Sequence, residues 1–276
     1  MRGELFEIND SHAAIVVHAS RICKRTYNSK MANTKPDIRI FYDLESLSRS
    51  AAEFFIETCA QAITERGRFL VALSGGNTPM GLYQLLAQSP YREQTDWRHA
   101  HVFWGDERCV PIEDLENSYR QAHDTLLSRV PIPTENIHRV QSDLEPDEAA
   151  KDYAHVLKDF ASPPLDWPRF DLVLLGMGED GHTASLFPGS EVNVSVPTMA
   201  VTAKYQDRPA NRVTLTPLVF NAARRIIFLV SGESKSQTLT NVLYGEYHPE
   251  QFPAQRIRPT DGELLWLVDQ SAASKL

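Results

Sequence analysis

Seven consecutive residues, Gly176-Met177-Gly178-Glu179-Asp180-Gly181-His182, gather an imidazole, two carboxylates and three glycines into one short loop. An imidazole titrates near neutrality, so it can both take a proton from water and return it to a leaving oxygen. Asp180 stands two residues before His182, close enough to orient the ring or the water. A solitary histidine usually does no more than bond its own loop. This one follows the apolar run Leu172-Val173-Leu174-Leu175, which reads as a strand buried on both faces and stops at Gly176. Open α/β sheets bind ligands beyond the carboxyl ends of such strands, so His182 is the candidate catalytic residue.

By spacing alone Gly176, Gly178 and Gly181 also spell G-x-G-x-x-G. A dinucleotide site needs a helix directly after that loop and an acid about 20 residues on. Pro188-Gly189 stops any helix after Phe187, and no acid lies between Val192 and Tyr205. The match is therefore set aside, and no cofactor is expected.

A second loop suits an anion. The strand Phe69–Leu73 runs into Ser74-Gly75-Gly76-Asn77-Thr78-Pro79, where glycines let backbone amides approach a ligand. Thr78 is expected as N-cap and Pro79 as first helical residue, although an ordinary strand-to-helix turn would use the same residues. Arg108, after the strand His101–Trp104, is expected at the same sheet edge, where a guanidinium suits phosphate or carboxylate. Lys235, in Ser231-Gly232-Glu233-Ser234-Lys235, is expected in a first helical turn, where a cation opposes the helix dipole by a few tenths of a kcal/mol unless an anion sits there.

The elements that must position these groups alternate regularly. Strands are expected at Ile38–Tyr42, Phe69–Leu73, His101–Trp104, Ile137–Val140, Leu172–Leu175, Arg212–Thr216, Arg224–Val230 and Leu264–Val268. A long helix is expected from Asp43 to Gly67, another capped by Asn117 or Ser118, and a third over Pro146–Phe160. The fold class is α/β: a doubly wound, largely parallel sheet with helices on both faces, Rossmann-like. Residues 31–276 are expected to form a single α/β catalytic domain. Residues 1–30 read as a poorly ordered N-terminal extension before a second candidate start at Met31.

Of 276 residues, 42% are hydrophobic and 23% charged, with a formal net charge of −8. That balance argues against nucleic acid as a partner. No apolar run is long enough to cross a bilayer, so no membrane association is expected. Cys23, Cys59 and Cys109 are odd in number and widely spaced, which suggests neither a disulfide framework nor a metal site and fits a reducing, cytoplasmic setting. The chain ends Ser274-Lys275-Leu276, a peroxisomal address in a eukaryotic host.

Taken together, LSGGNTP at Leu73–Pro79, WGDERCVP at Trp104–Pro111, GMGEDGHTASLFPG at Gly176–Gly189, RVTLT at Arg212–Thr216 and SGESK at Ser231–Lys235 resemble the 6-phosphogluconolactonases. The resemblance runs from about Ile38 to the C-terminus. The GMGEDGHTAS segment is its specific part, because the S-G-G-x-T-P loop is shared with the glucosamine-6-phosphate deaminases of similar fold. Asn77 stands where serine is common.

What the resemblance implies is hydrolysis of the small-molecule phosphosugar 6-phospho-D-glucono-1,5-lactone without metal or covalent intermediate. His182 would be the general base and Asp180 would orient it or the water. Ser74, Gly75, Gly76, Asn77, Thr78 and Lys235 would hold phosphate, with Arg108 and Arg212 serving phosphate or the developing oxyanion. Two other readings keep the phosphate loop. An amino-sugar-phosphate isomerase or deaminase would use a carboxylate such as Asp106 as base, and a non-catalytic sugar-phosphate sensor would not need His182.

Overall fold

The computed structural model describes residues 36–206 and 208–276. The extension assigned to residues 1–30 lies outside the described residues. Nine strands follow in order: β1 (Asp37–Phe41), β2 (Phe69–Leu73), β3 (Ala100–Trp104), β4 (Asp106–Arg108), β5 (Leu172–Gly176), β6 (Thr198–Thr202), β7 (Asn211–Leu215), β8 (Arg225–Val230) and β9 (Glu263–Asp269). The helices are α1 (Leu44–Arg66), α2 (Met80–Leu86), the one-turn α3 (Tyr91–Gln94), α4 (Ser118–Thr125), α5 (Pro146–Lys158), the one-turn α6 (Pro217–Phe220) and α7 (Ser236–Tyr244).

Six strands form one parallel sheet in the order β1-β9-β8-β5-β2-β3. Their periodicity accounts for the burial of both faces. In β5, Leu172 and Leu174 join a core with Leu47, Phe55 and Trp97 on one side, while Val173 and Leu175 join Tyr153, Leu186 and Phe220 on the other. Each fully buried aliphatic side chain contributes roughly 1.5–3 kcal/mol, so the two cores fix the register of β5 and hence the place of the loop that follows it. Helix α1 is stopped at both ends by its sequence. Asp43 accepts from the amide of Ser46 at 2.8 Å in a capping box, and Gly67 closes the helix in the left-handed conformation.

From β2 the chain moves outward to β3, whereas from β5 it moves the other way to β8 and β9. The direction reverses between β2 and β5. Their pairing ends at Ala72↔Val173, leaving Leu73 and Leu174 unpaired across that gap. Such a reversal opens a crevice beyond the carboxyl ends of the two strands.

The central sheet is parallel as expected, and a second, antiparallel sheet, β4-β7-β6, accompanies it. Arg212–Thr216 does form a strand, but it belongs here. The charged run Asp106-Glu107-Arg108 pairs with β7 (Arg108↔Arg212) instead of forming a solvated turn, because its side chains find buried partners. Ile137–Val140 makes only a single bridge to β3, Val102↔Ile137. Helix α2 starts at Met80 after Pro79 with no side-chain cap, so Thr78 is not the N-cap. Lys235 ends a 3-10 turn (Glu233–Lys235) just before α7. Near the C-terminus Thr240 of α7 donates to the carbonyl of Lys275 at 2.9 Å, and Ser274, Lys275 and Leu276 are exposed.

Candidate active site

The loop after β5 is folded around its own histidine. One oxygen of Asp180 accepts from the amide of His182 at 3.1 Å and lies 2.6 Å from His182 Nδ1. This arrangement puts the proton on Nδ1 and leaves Nε2, which has no partner among the described residues, as the basic nitrogen. Burial pushes the Asp180 carboxyl up, but the hydrogen bonds and charge of His182 more than offset it, holding it below the ordinary carboxylate value. The ring is wedged between Phe187 and Tyr205, with centroids 4.5 Å away in both cases. A Cβ at Gly178 would overlap Nδ1 and Cε1 of His182, so only glycine leaves room for the imidazole.

The loop is braced both from within and by neighbouring elements. Thr183 donates to the carbonyl of Gly176 at 2.8 Å, Ala254 to that of Gly181 at 2.9 Å and Thr238 to that of Glu179 at 2.5 Å. Lys235 donates through Nζ to the carbonyl of Met177 at 2.6 Å, which brings it beside the histidine loop. Burial lowers the Lys235 ammonium below its ordinary value, partly countered by Glu179 and Asp180.

Across the gap, the loop after β2 lies against the start of α4. A Cβ at Gly75 would come within 2.5 Å of Ser118 Oγ, so this approach too demands glycine. Not every amide in that loop is available. Ser74 donates to Tyr83 Oη at 3.1 Å and Gly76 to Gln121 Oε1 at 3.2 Å. The amides of Gly75, Asn77 and Thr78 have no acceptor among the described residues. The carboxylate of Glu107 fixes α4 in turn, accepting from the amides of Ser118 (2.6 Å), Tyr119 (2.7 Å) and Arg108 (2.8 Å). Burial pushes Glu107 up to about 7 despite those donors.

The register Arg108↔Arg212 sets two arginines side by side on the second sheet, 6% and 3% exposed. Arg212 donates through Nε to the carbonyl of Pro209 at 3.1 Å, and its guanidinium lies 5.3 Å from the ring of Phe187, which touches His182. Nη2 of Arg212 and Nε of Arg108 are buried without hydrogen-bond acceptors. Buried guanidinium donors of this kind suit an anion. Burial lowers Arg212 below its ordinary value.

The structure thus gathers His182, Asp180, Lys235 and Arg212 directly, sets Arg108 alongside Arg212, and puts Ser74–Thr78 at the facing strand end. Sequence reasoning missed Tyr205, Arg208 and Glu116. The first two sit in the β6–β7 connection, whose flanking strand Thr198–Thr202 lacks a buried apolar run, and Glu116 lies among ordinary loop acids. A basic residue just before RVTLT was the available signal for Arg208. Asp106 is buried, with Oδ2 accepting from Ser185 Oγ at 2.6 Å.

A doubly wound α/β fold with a histidine–aspartate pair and a cluster of cations at its switch point defines a class: an α/β protein built to act on an anionic ligand. The comparisons narrow it. Residues 42–266 match the family model described as glucosamine-6-phosphate isomerases/6-phosphogluconolactonase, and the chain belongs to that family. It is 39% identical over 243 residues to the 6-phosphogluconolactonase of Synechocystis sp., covering 87% of this chain and 98% of that one. It is similar to the solved 6-phosphogluconolactonase of Trypanosoma brucei, with 29% identity, a TM-score of 0.77, and coverage of 88% of this chain and 99% of that one. A monomeric glucosamine-6-phosphate deaminase shares the fold, at 21% identity and a TM-score of 0.75, covering 87% of this chain and 100% of that one.

Proposed function

We infer that the chain is a lactonase that hydrolyses 6-phospho-D-glucono-1,5-lactone to 6-phosphogluconate, in the oxidative pentose phosphate pathway. The observation that carries this reading is the His182–Asp180 pair at 2.6 Å: its Nε2 has no partner among the described residues, and its ring packs on Phe187, the ring that the Arg212 guanidinium also faces. Nε2 takes a proton from water as the water attacks C1 of the lactone. The carbonyl oxygen becomes an oxyanion, and as the ring C–O bond breaks, the imidazolium returns the proton to the departing ring oxygen. Asp180 holds the productive tautomer and stabilises the imidazolium between the two transfers.

The amides of Gly75, Asn77 and Thr78 together with Lys235 receive the phosphate, and Arg108 and Arg212 serve the phosphate or the oxyanion. Lys235 spends one N–H on Met177 and keeps two for ligand. An isomerase or deaminase would use a carboxylate such as Asp106 as its base; here Asp106 is buried and its Oδ2 accepts from Ser185 Oγ at 2.6 Å, which fits a positioning role better. The free thiols of Cys59 and Cys109 are pushed up by burial to about 12 and about 11, which keeps them protonated and poor nucleophiles.

The test is the rate of disappearance of the phospholactone, generated in situ, above its spontaneous hydrolysis, for wild type and His182→Ala. A large acceleration that the variant loses while still binding 6-phosphogluconate supports the reading. No acceleration by a wild type that binds the product sinks it.

A further inference from the structure

One carboxylate stands among the cations of the crevice. Oε2 of Glu116 lies 3.3 Å from Nη1 of Arg108 and 3.4 Å from Nη1 of Arg208. Its charge also reaches Arg212, whose guanidinium feels the repulsion of both other arginines. The contacts are longer than the 2.7–2.9 Å of a good charge-assisted bond, and one oxygen serves both partners while Arg108 Nε and Arg212 Nη2 stay unsatisfied. The Glu116 side chain is 36% exposed, so water readily replaces it. Arg108 Nη1 is held more closely by the backbone carbonyl of Glu116, at 2.6 Å, so the carboxylate adds only a weak, shared ion pair beside buried donors that lack an acceptor.

We propose that Glu116 is an internal counter-anion that sets the anion affinity of the site and favours release of product, a specificity-determining role resting on the lactonase reading above. The chemistry supplies the reason. Hydrolysis converts a neutral ester into a carboxylate, so the product carries one more negative charge than the substrate. An unscreened trio of arginines would hold product more tightly than substrate. The Glu116 carboxylate competes for the charge of the same guanidinium groups, which costs the product's added charge more than the substrate's, and recovers its ion pairs as product leaves.

The experiment uses the full chain with Glu116→Gln, which keeps size and removes charge, and Glu116→Asp, which keeps charge. Inorganic phosphate is titrated calorimetrically, and 6-phosphogluconate is measured as an inhibitor of lactone hydrolysis. In Glu116→Gln both constants tighten, by about three- to tenfold for loss of a partly exposed competing charge, with the larger change for 6-phosphogluconate. Glu116→Asp stays within about twofold of wild type. Unchanged or weaker phosphate binding in Glu116→Gln overturns the proposal and makes Glu116 a brace for Arg108. Equal tightening in both variants assigns the effect to packing and overturns it as well. If neither wild type nor variant hydrolyses lactone, the lactonase reading fails, while the phosphate titration still decides whether Glu116 competes for anions.

Discussion

Two histidines in this molecule have similar surroundings and opposite prospects. His138 packs on Phe103 and Phe160 at 4.5 and 4.6 Å, and His182 on Phe187 and Tyr205 at 4.5 Å each. The partner on the ring nitrogen differs. Nε2 of His138 meets another imidazole, Nδ1 of His101, at 3.1 Å, whereas Nδ1 of His182 meets a carboxylate at 2.6 Å. With burial and a second potential cation beside it, His138 is driven down to about 4, so it stays neutral and inert. Its backbone amide pairs with Val102 at the sheet edge, away from the reversal between β2 and β5. An aromatic setting makes a core histidine; a carboxylate partner and a place at the crevice make a base.

The largest expected effect sits on that contrast. His182→Ala should lower kcat by about 10²–10⁴-fold, the usual worth of a general base, while His138→Asn should leave it within about twofold. Steady-state rates corrected for spontaneous lactone hydrolysis check both. Comparable losses in the two variants would erase the distinction drawn here.

Next comes the partner itself. Asp180→Asn keeps the shape but lets an amide face Nδ1, favouring the wrong tautomer, and should cost about 10²-fold or more in kcat with KM little changed. Circular dichroism should show the fold intact. An unaffected kcat would mean that the loop backbone alone holds the ring.

A smaller effect is expected from the floor beneath the ring. In Gly178→Ala the new methyl overlaps His182, so either the imidazole or the loop must move. Stability should fall by about 1–3 kcal/mol, as for other overpacked sites, with kcat about tenfold lower. Chemical denaturation and kinetics on the same preparation separate the two costs.

How far the sequence reached follows from the same physics. The buried runs Phe69–Leu73, Leu172–Leu175 and Arg225–Val230 could be read because a strand covered on both faces needs apolar side chains at every position. Asp43 and Gly67 marked the ends of α1 for reasons local to the chain. The second sheet was illegible because β4 is three residues of charge, buried only through the pairing of Arg108 with Arg212 and the capping of α4 by Glu107. At the site, His182 and Asp180 were legible since they are two residues apart. Glu116 and Arg208, 92 residues apart, are joined by tertiary structure alone.

The smallest effect concerns the inert histidine and sharpens the comparison from its other side. In the folded chain His138 titrates at about 4, against an ordinary value of 6.5. Because the folded value is depressed, the unfolded chain binds the extra proton first as pH falls. The stability linked to this group is therefore complete above about 6.5 and is lost progressively between 6.5 and 4. His138 is only partly buried, so solvent screening reduces the loss to an order of 1 kcal/mol. Melting temperatures of wild type and His138→Asn, measured from pH 7.5 down to 4.5, should show wild type losing ground to the variant as pH falls. A constant difference across that range would mean that His138 can be charged within the folded protein, and that its silence in catalysis comes from its position at the sheet edge rather than from its imidazole partner.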